Sequence, residues 1–150
     1  MKKQVTLITD GACKKNPGPG GWAAILRMGT VEKVLQGGEL TTTNNRMELL
    51  GVIEGLRALH ESVAITVVTD SKYVINAFAE RWIEKWQRNG WKTNAGPVKN
   101  QDLWQALIPL VATHDVTWKW VKGHSGDVDN DRADGLAQAE AERWKAVANA

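Results

Sequence analysis

Residues 64–71 read AITVVTDS. The first six carry no charge, and all but Ala64 are β-branched. A short run of this kind, without alternation, is a strand covered on both faces, as in parallel pairing with helices packed above and below. The run stops at Asp70 and Ser71. Ser71 is placed to cap a helix over 72–80, and Asp70 stands at the carboxyl end of the strand. Open α/β sheets bind their ligands at that end. Taken alone, Asp70 reads more simply as a helix cap.

Upstream, residues 4–13 (QVTLITDGAC) alternate toward another strand, interrupted by Asp10, which shares its pleat phase with Thr6 and Ile8. Residues 16–21 (NPGPGG) form a turn; 21–28 and 31–40 read as strands joined through Met28-Gly29-Thr30. Three strands on short turns make an antiparallel meander. The period then changes: Met47, Leu50, Ile53 and Leu56 recur at helical spacing over 44–59, with Asn44 or Asn45 as N-cap and Glu48 in the first turn. A dipole or capping contact accounts for Glu48 there without further chemistry. If 4–13 and 64–69 are parallel neighbours, Asp10 and Asp70 meet at one end of the sheet. Two such acids repel unless a cation lies between them, and oxygen donors suit a hard ion such as Mg²⁺.

Downstream, residues 81–99 (RWIEKWQRNGWKTNAGPVK) interleave tryptophan with Arg81, Lys85, Arg88, Lys92 and Lys99. Trp82 and Trp86 read as the small core of this insertion, with Trp104 a further candidate for it, leaving Lys85, Arg88, Lys92 and Lys99 for phosphates. A helix over 100–112 and a strand over 115–121 follow; Trp22, Trp118 and Trp120 read as sheet packing. A loop, Gly123-His124-Ser125-Gly126, leads to a last helix at 128–146. There Asp134 has the same plain helix-dipole explanation as Glu48, and Asp127, Asp129 and Asp131 suit a solvated face. Taken alone, His124 is a surface histidine; His60 and His114 carry no assigned role. The order of elements gives an α/β fold whose mixed sheet is antiparallel first and parallel later.

The bulk numbers agree with one domain over 1–150: 43% of residues are hydrophobic and 24% charged. Cys13 is the sole cysteine, which excludes an internal disulfide and a multi-thiolate zinc site and suits a reducing compartment. The apolar stretch after Lys2-Lys3-Gln4 is too short for a signal core or a membrane span, so a cytoplasmic protein is expected. The net charge of +2 hides sixteen Lys/Arg against eleven Asp/Glu in residues 1–125, and three against six thereafter. A mildly basic body suits a polyanion, although solubility explains it as well. The glycines at 18–21 precede a strand and enclose Pro19, so they are no dinucleotide fingerprint. Residues 127–131 open like an EF-hand, but Arg132 and Gln138 stand where Gly and Glu are required.

Five motifs in order make the reading specific: TDGACKKNPGPGGWA (9–23), TTNNRMEL (42–49), TDSKYV (69–74), GWKT…PVKNQDLW (90–104) and WVKGHSG…NDRAD (120–134). Through them the chain resembles the bacterial ribonuclease HI (type 1 ribonuclease H) family over about residues 3–145. The resemblance implies a ribonuclease H-like fold, a five-stranded mixed sheet of order 3-2-1-4-5 flanked by helices, with 81–99 as a Trp/basic handle. It implies an endonuclease that hydrolyses the RNA strand of RNA–DNA hybrids by two-metal-ion catalysis, giving 5′-phosphate and 3′-hydroxyl ends. Asp10, Glu48, Asp70 and Asp134 would hold two Mg²⁺, or Mn²⁺ as a substitute, and His124 would shuttle a proton. Cys13, Asn16, Asn44, Asn45 and Glu48 would lie along the minor groove, with Thr43 and Asn100 at a DNA phosphate and Lys72 near the RNA. A monomer with no membrane partner is expected. Lys72 and Thr41 depart from the family pattern, where Gln and Arg are frequent. A hybrid-binding module without turnover and a related integrase or resolvase are the alternatives; the retained acids and His124 speak against the first, the Asn-Arg-Met-Glu motif with the Trp-rich handle against the second.

Overall fold

A run of hydrogen-bonded strands in the first third of the chain sets the frame for everything that follows. In the computed structural model, which describes residues 2–150, the strands are β1 (Gln4–Cys13), β2 (Gly18–Met28) and β3 (Val31–Thr42). Helix α1 (Asn44–Arg57), strand β4 (Ala64–Thr69) and helices α2 (Lys72–Ala79) and α3 (Trp82–Arg88) come next. Two short strands, β5 (Lys92–Thr93) and β6 (Gly96–Pro97), precede α4 (Gln101–Ala112), β7 (Asp115–Trp120) and α5 (Val128–Ala148). The main sheet has the order β3-β2-β1-β4-β7, and β5 pairs only with β6. Since β7 is the fifth strand of that sheet, this is the 3-2-1-4-5 topology. β1 and β2, and β2 and β3, are antiparallel; β4 runs parallel to β1 and to β7.

Side-chain alternation in β1 divides the core. Val5 and Leu7 join Leu49, Val52, Ile53, Leu56 of α1 and Trp104, Leu107 of α4 on one face. Ile8 and Ala12 point to the other face, against Ala133, Ala137 and Ala141 of α5. The alanines of α5 let that helix lie close to the sheet. β4, with Ile65, Val67 and Val68 all buried, is covered as its composition predicts.

Several boundaries differ from expectation. β2 starts at Gly18 rather than Gly21; its register shifts between Gly18 and Gly20, which accommodates Pro19 without a ladder hydrogen bond. The N-cap of α1 is Thr43, not Asn44 or Asn45: Thr43 is extended (φ −132°, ψ 162°), and its side chain accepts from the Arg46 N–H at 3.2 Å. Glu48 therefore lies in the second turn, beyond the reach of a capping contact. Asp127 caps α5 by accepting from the Asn130 N–H at 2.9 Å, and Asp129 pairs with Arg27 at 2.8 Å, so these two acids are structural rather than merely solvated. Trp104 is not a member of a separate handle core. It is fully buried in the main core, and Trp86 reaches it with ring centroids 5.4 Å apart. Among the described residues no helix is long and apolar enough to cross a membrane.

Candidate active site

Register brings the first two acids together. β1 and β4 pair in parallel up to Ile8 opposite Val68, so Asp10 and Asp70 each lie two residues further along adjacent strands. Both share the face of Ile8 and Val68, which pack together beside α5. Ser71 caps α2, accepting from the Val74 N–H at 3.2 Å, which leaves the Asp70 carboxylate free of the capping duty its position suggests.

Glu48 reaches the same place from the opposite face. It crosses at Gly11, where an added Cβ would sit 2.6 Å from the Glu48 nitrogen and 2.8 Å from Met47 Cβ. Only a residue without a side chain lets α1 pack this tightly against β1. The Gly11 N–H donates both to Asp10 Oδ1, at 2.9 Å, and to Glu48 Oε1. Asp10, Glu48 and Asp70 each offer an oxygen within 4.8 Å of the others. Asp10 and Glu48 are only 3% and 8% exposed, and Glu48 Oε2 has no hydrogen-bond partner among the described residues. Burial, with the neighbouring Glu48 carboxyl and the Gly11 N–H opposing it and the charges of Asp70 and Asp134 adding to it, raises the Asp10 carboxyl to about 7. Burial raises Glu48 too, helped by the close approach of the Asp10 carboxyl. Crowded carboxylates whose ionised forms burial and mutual repulsion disfavour, one of them with an unpartnered oxygen, fit a hard divalent cation that would offset those charges.

This crowding has a consequence for stability. Unfolded carboxyls release their protons near pH 4, whereas folded Asp10 holds its proton to about pH 7. The folded state therefore binds more protons between those values, and its advantage, complete below pH 4, is lost as pH rises through 7. Melting curves in chelator should show stability falling across pH 4–7 from this source. Added Mg²⁺ should raise the melting temperature more at pH 8 than at pH 5; an equal rise at both would contradict this origin.

Asp134 of α5 lies outside the 4.8 Å group but lines the same open cavity of about 490 Å³. It is 24% exposed, and the His124 Nδ1 stands 4.0 Å from its Oδ2. His124 itself is 78% exposed and has a left-handed backbone, φ 57°, in the loop before α5. Gly123 faces Asp70: a Cβ there would meet Oδ2 at 2.6 Å. Thus the loop closes on the acid cluster while leaving the imidazole free to turn.

The sequence profile of the RNase H family matches residues 2–142. The chain belongs to the RNase H family. It is 56% identical over 140 residues to the Ribonuclease H of Nitratidesulfovibrio vulgaris, covering 93% of this chain and 90% of that one. With the Ribonuclease HI of Neisseria meningitidis it shares 55% over 145 residues, covering 96% and 99%. The crystal structure of LC9-RNase H1, a type 1 RNase H with the type 2 active-site motif, superposes with a TM-score of 0.87 at 30% identity, covering 96% of this chain and 74% of that one. The chain is accordingly an endoribonuclease.

The other residues expected from the RNase H resemblance fall into two regions. Cys13, Asn44, Asn45 and Lys72 line the acidic cavity. Asn16 holds its wall, accepting from the Asn44 N–H at 3.0 Å. Asn100, with φ 61°, accepts from Arg46 at 3.4 Å and donates to the Tyr73 hydroxyl at 3.1 Å. Thr43 sits one turn away as the cap of α1. Lys85 and Lys92 line a second hollow, of about 780 Å³, with Trp82 and Trp86; Arg88 and Lys99 are exposed nearby in sequence. Ser71, Tyr73 and Gln138 also line the acidic cavity and were not assigned to the site from sequence. Gln138 had a usable signal, since it follows Asp134 by four residues on one helix face. Tyr73 had none, because its contacts come from α4.

Proposed function

We propose that the chain, as one domain over residues 1–150, hydrolyses the RNA strand of RNA–DNA hybrids at the Asp10, Glu48, Asp70 and Asp134 cluster. The observation that carries this is the convergence of three carboxylates from three separate elements within 4.8 Å, with a buried unpartnered oxygen, at the mouth of an open groove. When bound, two Mg²⁺ would supply positive charge to the scissile phosphate and lower the pKa of an attacking water, giving 5′-phosphate and 3′-hydroxyl ends.

The chain's own residues do the rest. Gly11 fixes Asp10 and Glu48 through one amide, and the parallel register fixes Asp70 beside them. Asp134 completes the donor set from the side of α5. His124, exposed and close to Asp134, would accept or deliver a proton at the groove rim through its imidazole nitrogens, help that is typically worth about 10²–10⁴-fold. Cys13, Asn16, Asn44 and Asn45 present short polar groups where RNA 2′-hydroxyls would be tested in the minor groove. Thr43 and Asn100 would meet a DNA phosphate, and Lys85, Arg88, Lys92 and Lys99 of the handle would follow the DNA backbone. The site is complete within one chain, which supports a monomer, and the lone thiol supports a cytoplasmic setting.

The deciding experiment is a labelled RNA–DNA hybrid with Mg²⁺ or with chelator, beside double-stranded RNA and double-stranded DNA. Metal-dependent cutting confined to the RNA of the hybrid is expected, with 5′-phosphate products. Tight hybrid binding without cutting in any divalent metal would replace the nuclease by a binding module.

A further inference from the structure

Trp120 is not the sheet-packing residue its strand position suggests. It is 43% exposed at the carboxyl end of β7, and its indole Nε1 donates to the Asp70 carbonyl at 3.0 Å. The Lys72 ammonium lies over the same ring, 4.8 Å from its centroid. Lys72 opens α2 two residues after Asp70 and lines the cavity of the acid cluster. A cation on a flexible four-carbon stem beside several carboxylates would ordinarily turn toward them. Yet among the described residues Lys72 forms no salt bridge, and its ammonium lies against the indole face. The main chain at Lys72 is held by the Ser71 cap, so the side chain chooses between ring and cavity.

We infer that Trp120 is a positioning residue that parks the Lys72 ammonium on the cavity rim, leaving the carboxylates to divalent cations and Lys72 to a substrate phosphate. Ammonium and metal are competing counter-charges for the same oxygens. The negative face of the indole favours the ammonium outside, and the hydrogen bond to the Asp70 carbonyl fixes that face in place. The inference rests on the divalent-cation reading of the cluster given above.

The test is Mg²⁺ binding to the substrate-free full chain by titration calorimetry at pH 8, with folding checked by thermal melting. W120L should weaken Mg²⁺ binding about two- to fivefold, the scale of an exposed cation–π contact. W120F, which keeps a ring face, should lose less. W120L/K72Q should return to the wild-type affinity, because the competitor is gone, and K72Q alone should bind Mg²⁺ at least as tightly as wild type. In chelator, where nothing is cut, K72Q should weaken hybrid binding and reduce the slope of log affinity against log salt by about one. A double variant as weak as W120L would overturn the inference, showing that Trp120 acts only through the Asp70 main chain. An unaltered W120L, a weakened K72Q or an unchanged salt slope would overturn it as well. Wild type that binds no Mg²⁺ would overturn the cation reading together with this inference, whereas wild-type binding indifferent to residues 72 and 120 would overturn this inference alone.

Discussion

Asp10→Asn is expected to lower cleavage of an RNA–DNA hybrid by about 10³-fold or more, and to raise the melting temperature of the metal-free protein at pH 8. Both effects come from one charge. Asp10 stands between Glu48, Asp70 and Asp134, on a strand whose register the substitution does not alter. The amide keeps the size of the carboxyl and can donate to Glu48, so the fold is retained. It cannot supply the anionic oxygen with which Asp10, beside Glu48 and Asp70, would hold a divalent cation. Without metal at pH 8, wild type must hold Asp10 ionised although burial and two acidic neighbours raise its pKa to about 7. A tenfold difference in proton affinity is worth about 1.4 kcal/mol, so removing this charge should stabilise by roughly 1–3 kcal/mol. That amounts to several degrees for a chain of this size. A gel assay and thermal melts in chelator measure the two effects. Undiminished cutting would end the mechanism; a lower melting temperature would show that Asp10 is structurally favourable and not a strained donor.

Asp10 and Asp70 were legible as a pair on one condition, that their strands be parallel neighbours, because strand reading sets each toward a carboxyl end; the pairing of β1 with β4 meets that condition. Glu48 was not. Its helix packs on the opposite face of the sheet, and what carries it across is the missing Cβ of Gly11, a contact between segments 37 residues apart. The wrong cap for α1 has a similar cause. β3 continues to Thr42 through pairing with Gly18, which leaves Thr43 extended at the junction and hands it the capping role over the better-ranked asparagines. For Trp120, alternation told which face the ring takes but not where the covering helix stops. Trp118, two residues earlier, is stacked on Phe78 of α2 with centroids 4.8 Å apart, while Trp120 lies past that cover. Family resemblance supplied Asp134 and His124, whose plain local readings were a helix-dipole acid and a surface histidine.

Trp104→Ala is expected to lower global stability by about 3–5 kcal/mol, the range for truncating a large buried aromatic. The ring is fully enclosed. Its Nε1 donates to the Tyr73 hydroxyl at 3.1 Å, and that hydroxyl also accepts from Asn100 Nδ2 at 3.1 Å. Phe78 meets the ring edge-on with centroids 6.2 Å apart, and Trp86 of the handle leans on it at 5.4 Å. Truncation thus opens a cavity, removes a donor from the half-buried Tyr73 hydroxyl network and takes away the support of the handle at once. At about 2–4 °C for each kcal/mol, the melting temperature should fall by roughly 10 °C. Trp104→Phe refills most of the space but loses the N–H, so it should cost less, about 1–2 kcal/mol. In that milder variant hybrid affinity should still drop, because Asn100 and the handle lose a fixed neighbour, while Mg²⁺ binding at the acids, whose cavity Trp104 does not line, stays as in wild type. Limited proteolysis would report the loosened handle as faster cutting within residues 81–99. If Trp104 served only a local core of the handle, Trp104→Ala would speed that proteolysis and leave the global melt where it was, and the packing described for α4 would be wrong.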